Sequence, residues 1–326
     1  MTTVYSPGDK ITMLPDAAVA AFSLDAGGLR PALSLYLDIA FDGSEGRARI
    51  LDQFSRTDRI HVIANLRHEQ LGVLDDEAAF NAGVLPADLP QAEALLVLWR
   101  LTHSLSAERE KVRGRPEIRG GADFDFRVEA GVVTIQRRRR DAPLDRIVAE
   151  MAILANATWG RLLAEHRVPG LYRAQAMGKV RMTTHPSPHQ GLGVAQYIWA
   201  TSPLRRYADL VNQIQLLAIV DGRPPPFAQN DASLFGILSA FEARYAIVAE
   251  FQQTMERYWC LRWIGQHPED QRRFDSVAVR DDTVRLFDAP HYFHRRGKGR
   301  FRKASEDILK QALVAIERKA QQAAQI

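Results

Sequence analysis

Cysteine is almost absent from this 326-residue chain, which contains only Cys260. A single cysteine excludes an internal disulfide and any zinc site built from cysteines, and it suits a reducing compartment. The N-terminal residues lack the basic start and the continuous apolar stretch of a signal peptide. Nowhere does the sequence contain the run of about 18 apolar residues that a membrane-spanning helix requires. We therefore expect a cytoplasmic protein that does not enter a membrane, with Cys260 packed in its core.

Net charge is also low, at +4 from 43 basic and 39 acidic residues. Such a balance permits nucleic acid as a partner without requiring it, because the clustering of charges matters more than their sum. Two basic clusters exist, and each is either a solvated surface or a nucleic-acid contact. The first is the run Arg137 to Arg140, and the second, without an intervening acid, comprises Arg295, Arg296, Lys298, Arg300, Arg302 and Lys303.

The pattern of apolar residues changes from strand-like to helical along the chain. Residues 32–41 and 59–66 alternate in the manner of strands, and the pattern of residues 113–140 predicts two further strands with glycine-marked turns. Helical periodicity covers residues 89–110, 142–166 and much of 203–265. The sequence therefore predicts a mixed α/β (α+β) fold with a strand-rich first third and a helical second half. Asp141 and Pro143 are expected to begin the helix of residues 142–166.

The stretch "WATSPLRRYADLVNQ", residues 199–213, places two arginines at the start of a predicted helix. Ser202 is expected to cap this helix and Pro203 to occupy its first position. Arg205 and Arg206 would then lie in the first turn, away from the apolar face. A cation there costs roughly 0.3 to 1 kcal/mol unless a negative group compensates for it, because the helix dipole is positive at that end.

Two groups could compensate for these charges. Asp209 lies three and four residues after the arginines and could form an ordinary surface ion pair with them. An ordinary pair would not explain the preceding Gly191 and Gly193, which allow a second interpretation, in which a tight loop leads into the helix N-terminus. Backbone N–H groups and guanidinium forks would then converge on a bound phosphate.

The longer stretch "THPSPHQGLGVAQYIWATSPLRRYADLVNQIQL", residues 184–216, resembles the signature of the ribonuclease II/R (RNB) family of processive 3′-to-5′ exoribonucleases. Residues 3–35, 144–156 and 248–264 are similar to other parts of that family, in the same order. Together these stretches cover roughly residues 1 to 265. The resemblance implies a hydrolytic 3′-5′ exoribonuclease that degrades single-stranded RNA to nucleotides.

The resemblance also implies roles for particular residues. Arg205 would hold and polarise the scissile phosphate, and Glu256 would act near the 3′ end of the RNA. RNA-binding roles fall to Arg206, Tyr207, Glu150, His189 and Ser202, where His189 is either structural support or a phosphate contact. Considered without the family, Glu150 could instead form an exposed pair with Arg146, and Glu256 a similar pair with Arg262 or Arg257.

Two departures from the family pattern concern catalysis. The family holds Mg²⁺ with four aspartates in a pattern like "DxxxxxDxDD", upstream of a segment that corresponds to "MLP" at Met13. No metal ligand is therefore assigned in this chain, since the paired aspartates Asp75 with Asp76 and Asp281 with Asp282 have the wrong neighbours. A tyrosine expected near "TDRIHVIANL" is replaced by Val62.

These departures lead us to expect part of a longer nuclease. Residues 1–268 would form a partial RNB domain lacking the aspartate cluster, residues 269–303 a truncated basic segment of the OB type, and residues 304–326 a helical tail. Activity would then require the missing aspartates. The alternatives are a noncatalytic RNA-binding remnant and an unrelated small-molecule enzyme with a phosphate site. We expect a monomer whose partner is single-stranded RNA.

Overall fold

A computed structural model describes residues 2–7, 9–42, 46–66, 72–117, 122–176, 178–268, 274–280, 283–290 and 292–294. The predictions for Asp281, Asp282, the basic cluster at 295–303 and the tail at 304–326 lie outside these residues. The chain forms two compact units. The larger comprises the described residues of 13–119 and 141–242, and the smaller comprises the described residues of 1–12, 120–140 and 243–294.

A long antiparallel hairpin is the main sheet of the larger unit. After the short helix α1 (Asp16–Phe22), strand β3 (Gly28–Phe41) pairs with β4 (Ala48–Val62), with a register shift between Asp38 and Ile39. Leu33 and Leu35 point to the same face because side chains alternate along a strand. Both pack against the core of the larger unit.

The first helices of the larger unit pack around a core of their own. A 3-10 turn at Gly72–Asp75 precedes α2 (Glu77–Ala82), and α3 (Ala92–Arg113) and α4 (Pro143–Glu165) follow. Their buried side chains form one cluster: Leu74, Phe80, Leu89, Leu95, Trp99, Leu144 and Ile147. Pro143 is the first residue of α4 as predicted, but the prediction that Asp141 caps the helix is wrong. The cap position belongs to Ala142, whose side chain cannot accept a hydrogen bond.

The remaining elements of the larger unit surround the later part of α4. Strands β7 (Tyr172–Ala174) and β8 (Arg181–Thr183) form a short hairpin, which is followed by α5 (Tyr207–Val220) and the first part of α6 (Ala232–Gln266). Two clusters of buried side chains join them: Trp159, Leu163, Tyr172, Ile198, Ala200 and Leu216 in one, and Leu171, Ala208, Val211, Leu234 and Phe241 in the other.

The smaller unit combines short sheets with the rest of α6. Its hairpins are β1 (Val4–Ser6) with β2 (Asp9–Ile11) and β5 (Ala122–Glu129) with β6 (Val132–Arg139). A three-stranded antiparallel sheet follows, made of β9 (Ser276–Arg280), β10 (Thr283–Leu286) and β11 (Tyr292–His294). Cys260 is fully buried beside Leu286 and Ala289, which confirms that it packs in the core.

The predicted mixed fold is confirmed, with 42% helix and 25% strand. The strands of the first 62 residues and the long helices after residue 142 follow the predicted division. By length and hydropathy alone, α4 and α6 could each cross a membrane, although both contribute side chains to the clusters described above. The predicted domain boundaries stay predictions.

Candidate functional site

The turn that carries Arg205 differs from the predicted helix start. The carbonyl oxygen of Ser202 accepts hydrogen bonds from the N–H groups of Arg205 and Arg206, both at 3.1 Å. Arg206 has extended backbone angles and is the N-cap residue, and Tyr207 is the first residue of α5. The prediction that Ser202 caps a helix starting at Pro203 is therefore wrong. The chain forms a tight turn from Ser202 to Arg205 where the first helical turn was expected. Arg205 is exposed to solvent in this turn.

Asp209 fixes this turn from inside the protein. Its Oδ1 accepts a hydrogen bond from the backbone N–H of Ser202 at 2.9 Å and another from Nη2 of Arg206 at 2.7 Å. The carboxylate is fully buried, so the expected surface ion pair is instead a buried one. Burial raises the pKa of Asp209, while the charges of Arg206 and Arg205 oppose that rise. One of the two arginines is thus neutralised within the fold.

Amide side chains hold the backbone that leads into the turn. The side chain of Asn156 on α4 accepts a hydrogen bond from the N–H of Ala200 at 2.9 Å. The side chain of Gln213 donates a hydrogen bond to the carbonyl of Ala200 at 2.8 Å. Asn212 donates to the carbonyl of Trp199 at 2.9 Å. Asn156 and Asn212 are almost completely buried. The segment before Arg205 is therefore fixed by α4 and α5, as a preorganised binding loop requires.

Aromatic rings and cations meet beside the turn. The guanidinium carbon of Arg173 lies 3.7 Å from the centre of the Trp199 ring, and that of Arg206 lies 4.1 Å from it. His189 packs edge-on against Tyr197 at 5.7 Å. Burial and the positive charge of Arg173 lower the pKa of His189, so its ring is neutral at pH 7. Burial also raises the pKa of Tyr197.

The loop of residues 189–193 is docked against α3. Gly193 has a φ of +68°, and a Cβ at this position would lie 2.4 Å from the carbonyl oxygen of Arg109. Nη1 of Arg109 donates to the carbonyl of Leu192 at 2.7 Å. The carbonyl of His189 accepts the N–H groups of both Leu192 and Gly193, which closes the loop. His189 is itself buried, and its expected role as structural support or a phosphate contact stays a prediction.

Glu150 has a partner that the sequence analysis did not consider. Its carboxylate is buried and accepts two hydrogen bonds from the Arg109 guanidinium, one from Nε at 3.0 Å and one from Nη2. The alternative of an exposed pair with Arg146 is wrong, because Arg146 donates to Glu77 at 2.9 Å and lies over the ring of Trp99. The contact of Glu150 with a terminal nucleotide stays a prediction.

Glu256 belongs to the smaller unit, where it lies on the exposed side of α6. Partial desolvation by the surrounding protein raises the pKa of its carboxyl despite this exposure. Arg205 belongs to the larger unit. The catalytic role of Glu256 stays a prediction. Val62, at the end of β4, is half-buried and pairs with Gly28.

A divalent metal does not fit the carboxylates found here. Among the described residues, no three His, Cys, Asp or Glu side chains group together as a metal site requires. Asp76 accepts the N–H groups of Ala78 and Ala79 as the N-cap of α2, and the carboxylate of Asp209 is engaged by Arg206 and Ser202. Mg²⁺ needs near-octahedral oxygen coordination, usually from one or two free carboxylates together with waters and substrate phosphates. The cationic turn around Arg205 suits an anionic ligand.

Comparison with known proteins decides the family. The model of the RNB domain matches residues 1–179 and 174–222. The chain belongs to the RNB domain family. Nucleases of this family generally depend on a divalent metal. The RNB match covers the Arg205 turn, the docked loop at 189–193 and the hairpin of β3 with β4.

Similar proteins are described as ribonucleases. An uncharacterized ribonuclease of Synechocystis is 31% identical over 189 residues, which is 46% of this chain and 28% of the relative. Exoribonuclease 2 of Vibrio vulnificus is 23% identical and covers 83% of this chain, while this chain covers 48% of it. The chain thus spans less than half of the length of either relative.

Solved structures show the same fold. The Dss1 exoribonuclease of Candida glabrata, as an active-site mutant, superposes with a TM-score of 0.71 at 19% identity and covers 87% of this chain, which spans 40% of it. RNase R of Mycoplasma genitalium in complex with double-stranded RNA superposes with a TM-score of 0.69 at 16% identity, covering 90% of this chain, which spans 61% of it. A yeast pseudonuclease, Ssd1, has a TM-score of 0.50.

Several residues around the Arg205 turn were not predicted from the sequence. They share buried contacts with the turn or with its supporting loop: Arg109, Asn156, Arg173, Trp199, Asn212 and Gln213. One signal was available, because Asp209, Asn212 and Gln213 recur at i, i+3 and i+4 and form a polar stripe along an otherwise apolar helix. The contacts of Arg109 and Arg173 have no signal in the local sequence.

Proposed function

We propose that this chain supplies the phosphate-binding part of a hydrolytic 3′-5′ exoribonuclease that acts on single-stranded RNA. The observation that carries the proposal is the exposed Arg205, on a backbone turn fixed by the buried Asp209, within a chain of the RNB domain family. A guanidinium held in one place can form two parallel hydrogen bonds to a phosphate. Single strands fit such a site because their backbone and bases are both accessible.

Catalysis by the complete enzyme would need a divalent ion, and we propose Mg²⁺. The described residues do not provide its ligands, so hydrolysis depends on carboxylates from elsewhere. The Asp-rich segment of the family is the natural source, in the same polypeptide or in a second one. The roles of Glu256 and Glu150 near the 3′ end, the monomeric state and the cytoplasmic location belong to the same proposal.

A second candidate is RNA binding without hydrolysis. Its supporting observation is the lack of a metal-ligating group among the described residues. The structural likeness to a pseudonuclease shows that the fold alone does not establish activity. A third candidate, a small-molecule enzyme with a phosphate site, is disfavoured by the family match.

The test uses a 5′-labelled single-stranded RNA with a free 3′ end. Binding is measured by fluorescence anisotropy at several salt concentrations, and shortening is followed on a gel with Mg²⁺ and with EDTA. We expect binding that weakens steeply with salt, because each phosphate contact releases counterions. We expect no shortening by the 326-residue chain alone. A longer protein, in which the Asp-rich segment typical of the family is fused ahead of residue 1, should shorten the RNA in Mg²⁺. EDTA should stop this shortening.

Each result separates the candidates. Binding with no shortening by the fused protein would favour the noncatalytic reading. Shortening by the 326-residue chain alone, sensitive to EDTA, would mean that its own residues hold the metal. Binding that is equal at low and high salt, or limited to duplex RNA, would contradict both readings.

A further inference from the structure

The outer face of the β3–β4 hairpin carries a stacked pair of aromatic rings. Leu33 and Leu35 of β3 pack against the core, so Tyr36 points to the opposite face, because side chains alternate along a strand. Phe54 is its partner on β4, and the two rings stack with their centres 5.0 Å apart and their planes at 11°. Phe54 is 50% exposed. Because Tyr36 lies against one face of the Phe54 ring, a further planar group can extend the stack at the other face.

Hydrogen bonds hold the Tyr36 ring in place. Its hydroxyl donates to Oδ2 of Asp58 at 2.6 Å, and Nε of Arg56 donates to Oδ1 of the same carboxylate at 2.7 Å. Nη2 of Arg56 also donates to the Tyr36 hydroxyl oxygen at 3.3 Å. The hydrogen bond from Tyr36 lowers the pKa of Asp58, so this carboxylate is ionised at pH 7 and neutralises the charge of Arg56. Phe54, Tyr36, Arg56 and Asp58 therefore form an ordered surface whose own charges cancel.

The opposite face of β4 fixes this surface to helix α4. Ser55 lies between Phe54 and Arg56 in the sequence, and its Oγ accepts a hydrogen bond from Nε1 of Trp159 at 3.0 Å. On the other side of Phe54, the side chain of Gln53 accepts a hydrogen bond from the hydroxyl of Thr158 at 3.3 Å. The strand is thus held at both neighbours of Phe54. A ring supported in this way is preorganised for a ligand.

Two carboxylates lie next to the aromatic pair. Asp38 and Asp52 are opposite each other in the hairpin, at the next positions on the same face as Tyr36 and Phe54, and both are exposed. Like charges opposite each other in a sheet are unfavourable, and they would also repel a phosphate. Carboxylates do accept hydrogen bonds from the amino groups of nucleobases, such as that of cytosine. An exposed ring beside such acceptors suits the base of a nucleotide and disfavours its phosphate.

We propose that the outer face of the hairpin binds a nucleobase of single-stranded RNA, which stacks on Phe54 while Asp38 and Asp52 accept hydrogen bonds from its amino group. This inference rests on the proposed function, because the ligand is RNA. It adds a base-binding site to the phosphate site proposed at Arg205. Stacking supplies affinity for any base, since every base has a flat face. The carboxylates add a preference for bases that carry an amino group.

The experiment measures the affinity of the full chain for labelled oligocytidylate by fluorescence anisotropy over a range of salt concentrations. Phe54→Leu keeps an apolar side chain and removes the ring, so the affinity should fall by about five-fold or more, as the loss of one stacked base predicts. The slope of log K against log salt should stay unchanged, because no phosphate contact is lost. Phe54→Trp offers a larger ring and should keep or raise the affinity. Phe41→Leu makes the same change at an exposed ring of β3 outside the stacked pair, so it is the matched control and should change little.

Oligouridylate tests the two carboxylates, because uracil has a carbonyl group where cytosine has its amino group. The unmodified chain should bind oligocytidylate about three-fold more tightly, as the gain of one hydrogen bond near the surface predicts. Asp38→Ala combined with Asp52→Ala should remove this preference. Equal affinities of the unmodified chain for the two RNAs would overturn the role of the carboxylates.

The outcomes distinguish this inference from the proposed function. If the unmodified chain binds neither RNA, the proposed function fails and the base-binding site fails with it. If the chain binds RNA and Phe54→Leu has the same affinity, or Phe41→Leu loses as much, only the base-binding site is overturned. Weaker binding by both Phe54→Leu and Phe54→Trp, with lowered melting temperatures, would make the ring purely structural and also overturns the site.

Sedimentation velocity tests whether a protein occupies this face instead. Self-association of the unmodified chain that Phe54→Leu abolishes, with the affinity for RNA unchanged, would assign the face to a contact between copies of this chain and would overturn the base-binding site. We expect Phe54→Leu to leave the sedimentation coefficient unchanged.

Discussion

The Arg109 guanidinium donates through Nε to Oε2 of Glu150 at 3.0 Å, and this pair is buried between α3 and α4. The same guanidinium donates through Nη1 to the carbonyl of Leu192. One side chain therefore ties two helices to the loop of residues 189–193. Because the loop precedes the Arg205 turn, Arg109 belongs to the support of the proposed phosphate site.

Removal of Arg109 should destabilise the protein strongly. Arg109→Met leaves the carboxylate of Glu150 buried without its partner, which typically costs about 3 to 5 kcal/mol of unfolding free energy. Urea denaturation followed by circular dichroism measures this cost. Lys111→Met is the control on the same helix, because the pair of Lys111 with Glu108 is exposed and should cost no more than about 1 kcal/mol.

A double variant separates the ion pair from general packing. Arg109→Met combined with Glu150→Met removes both charges, so it should be more stable than Arg109→Met alone. A double variant less stable than the single one would show that packing and the bond to Leu192 outweigh the buried charge.

Gly193→Ala should be more harmful than a substitution at another glycine of similar backbone angle. Gly193 and Gly222 have φ values of +68° and +65°, but only at Gly193 would a Cβ meet another atom, the carbonyl oxygen of Arg109. We expect Gly222→Ala to cost about 1 to 2 kcal/mol from backbone strain. Gly193→Ala should cost about 1 to 3 kcal/mol more from the clash. Equal melting temperatures for the two variants would contradict the close approach of the loop to α3.

Stability should depend on pH through His189. Its pKa in the folded protein lies below the ordinary 6.5, so the unfolded chain binds the proton more readily. The stabilisation by neutral His189 is therefore complete above pH 6.5 and is lost as the pH falls through the lowered pKa. Urea midpoints measured between pH 5 and 8 should show this loss in the unmodified chain and a smaller one in His189→Gln.

The charge of Arg173 contributes to the same effect, although burial is the larger cause. Arg173→Gln should raise the pKa of His189 towards its ordinary value, which the NMR titration of the His189 ring protons can follow. A pKa that does not change in this variant would mean that burial alone lowers it.

Arg205→Ala should weaken the binding of an RNA 3′ end far more than Arg138→Ala. Arg205 is exposed on a fixed turn and is followed directly by Arg206, whereas Arg138 on β6 faces Asp123 at 3.4 Å. A positioned guanidinium that forms two hydrogen bonds to phosphate should contribute about ten-fold or more in affinity. Anisotropy titrations with the same labelled RNA provide the comparison. Similar losses in the two variants would show that the chain binds RNA through its overall charge.

The amino-acid sequence by itself determined much of the architecture and the family. Periodicity identified the long helices α3, α4 and α6 and the strands β3, β5 and β6, because each has enough apolar residues at one spacing to give a clear pattern. The stretch at residues 184–216 indicated the RNB family, which the family match then confirmed. It also identified Arg205 and Arg206 as candidate phosphate ligands.

Only the tertiary structure decided how these residues are held. The expected start of α5 at Pro203 was wrong, since the tertiary contact of the buried Asp209 with the Ser202 N–H favours a turn before Tyr207 over an early helical turn. The partner of Glu150 is Arg109, 41 positions away in the sequence, whereas the nearby Arg146 donates a hydrogen bond to Glu77. Burial and charge pairing are set by chain segments distant in sequence, so local periodicity carries no information about them. For the same physical reason, the meeting of Arg173 with Arg206 on Trp199 became visible only when β7 was placed beside the turn.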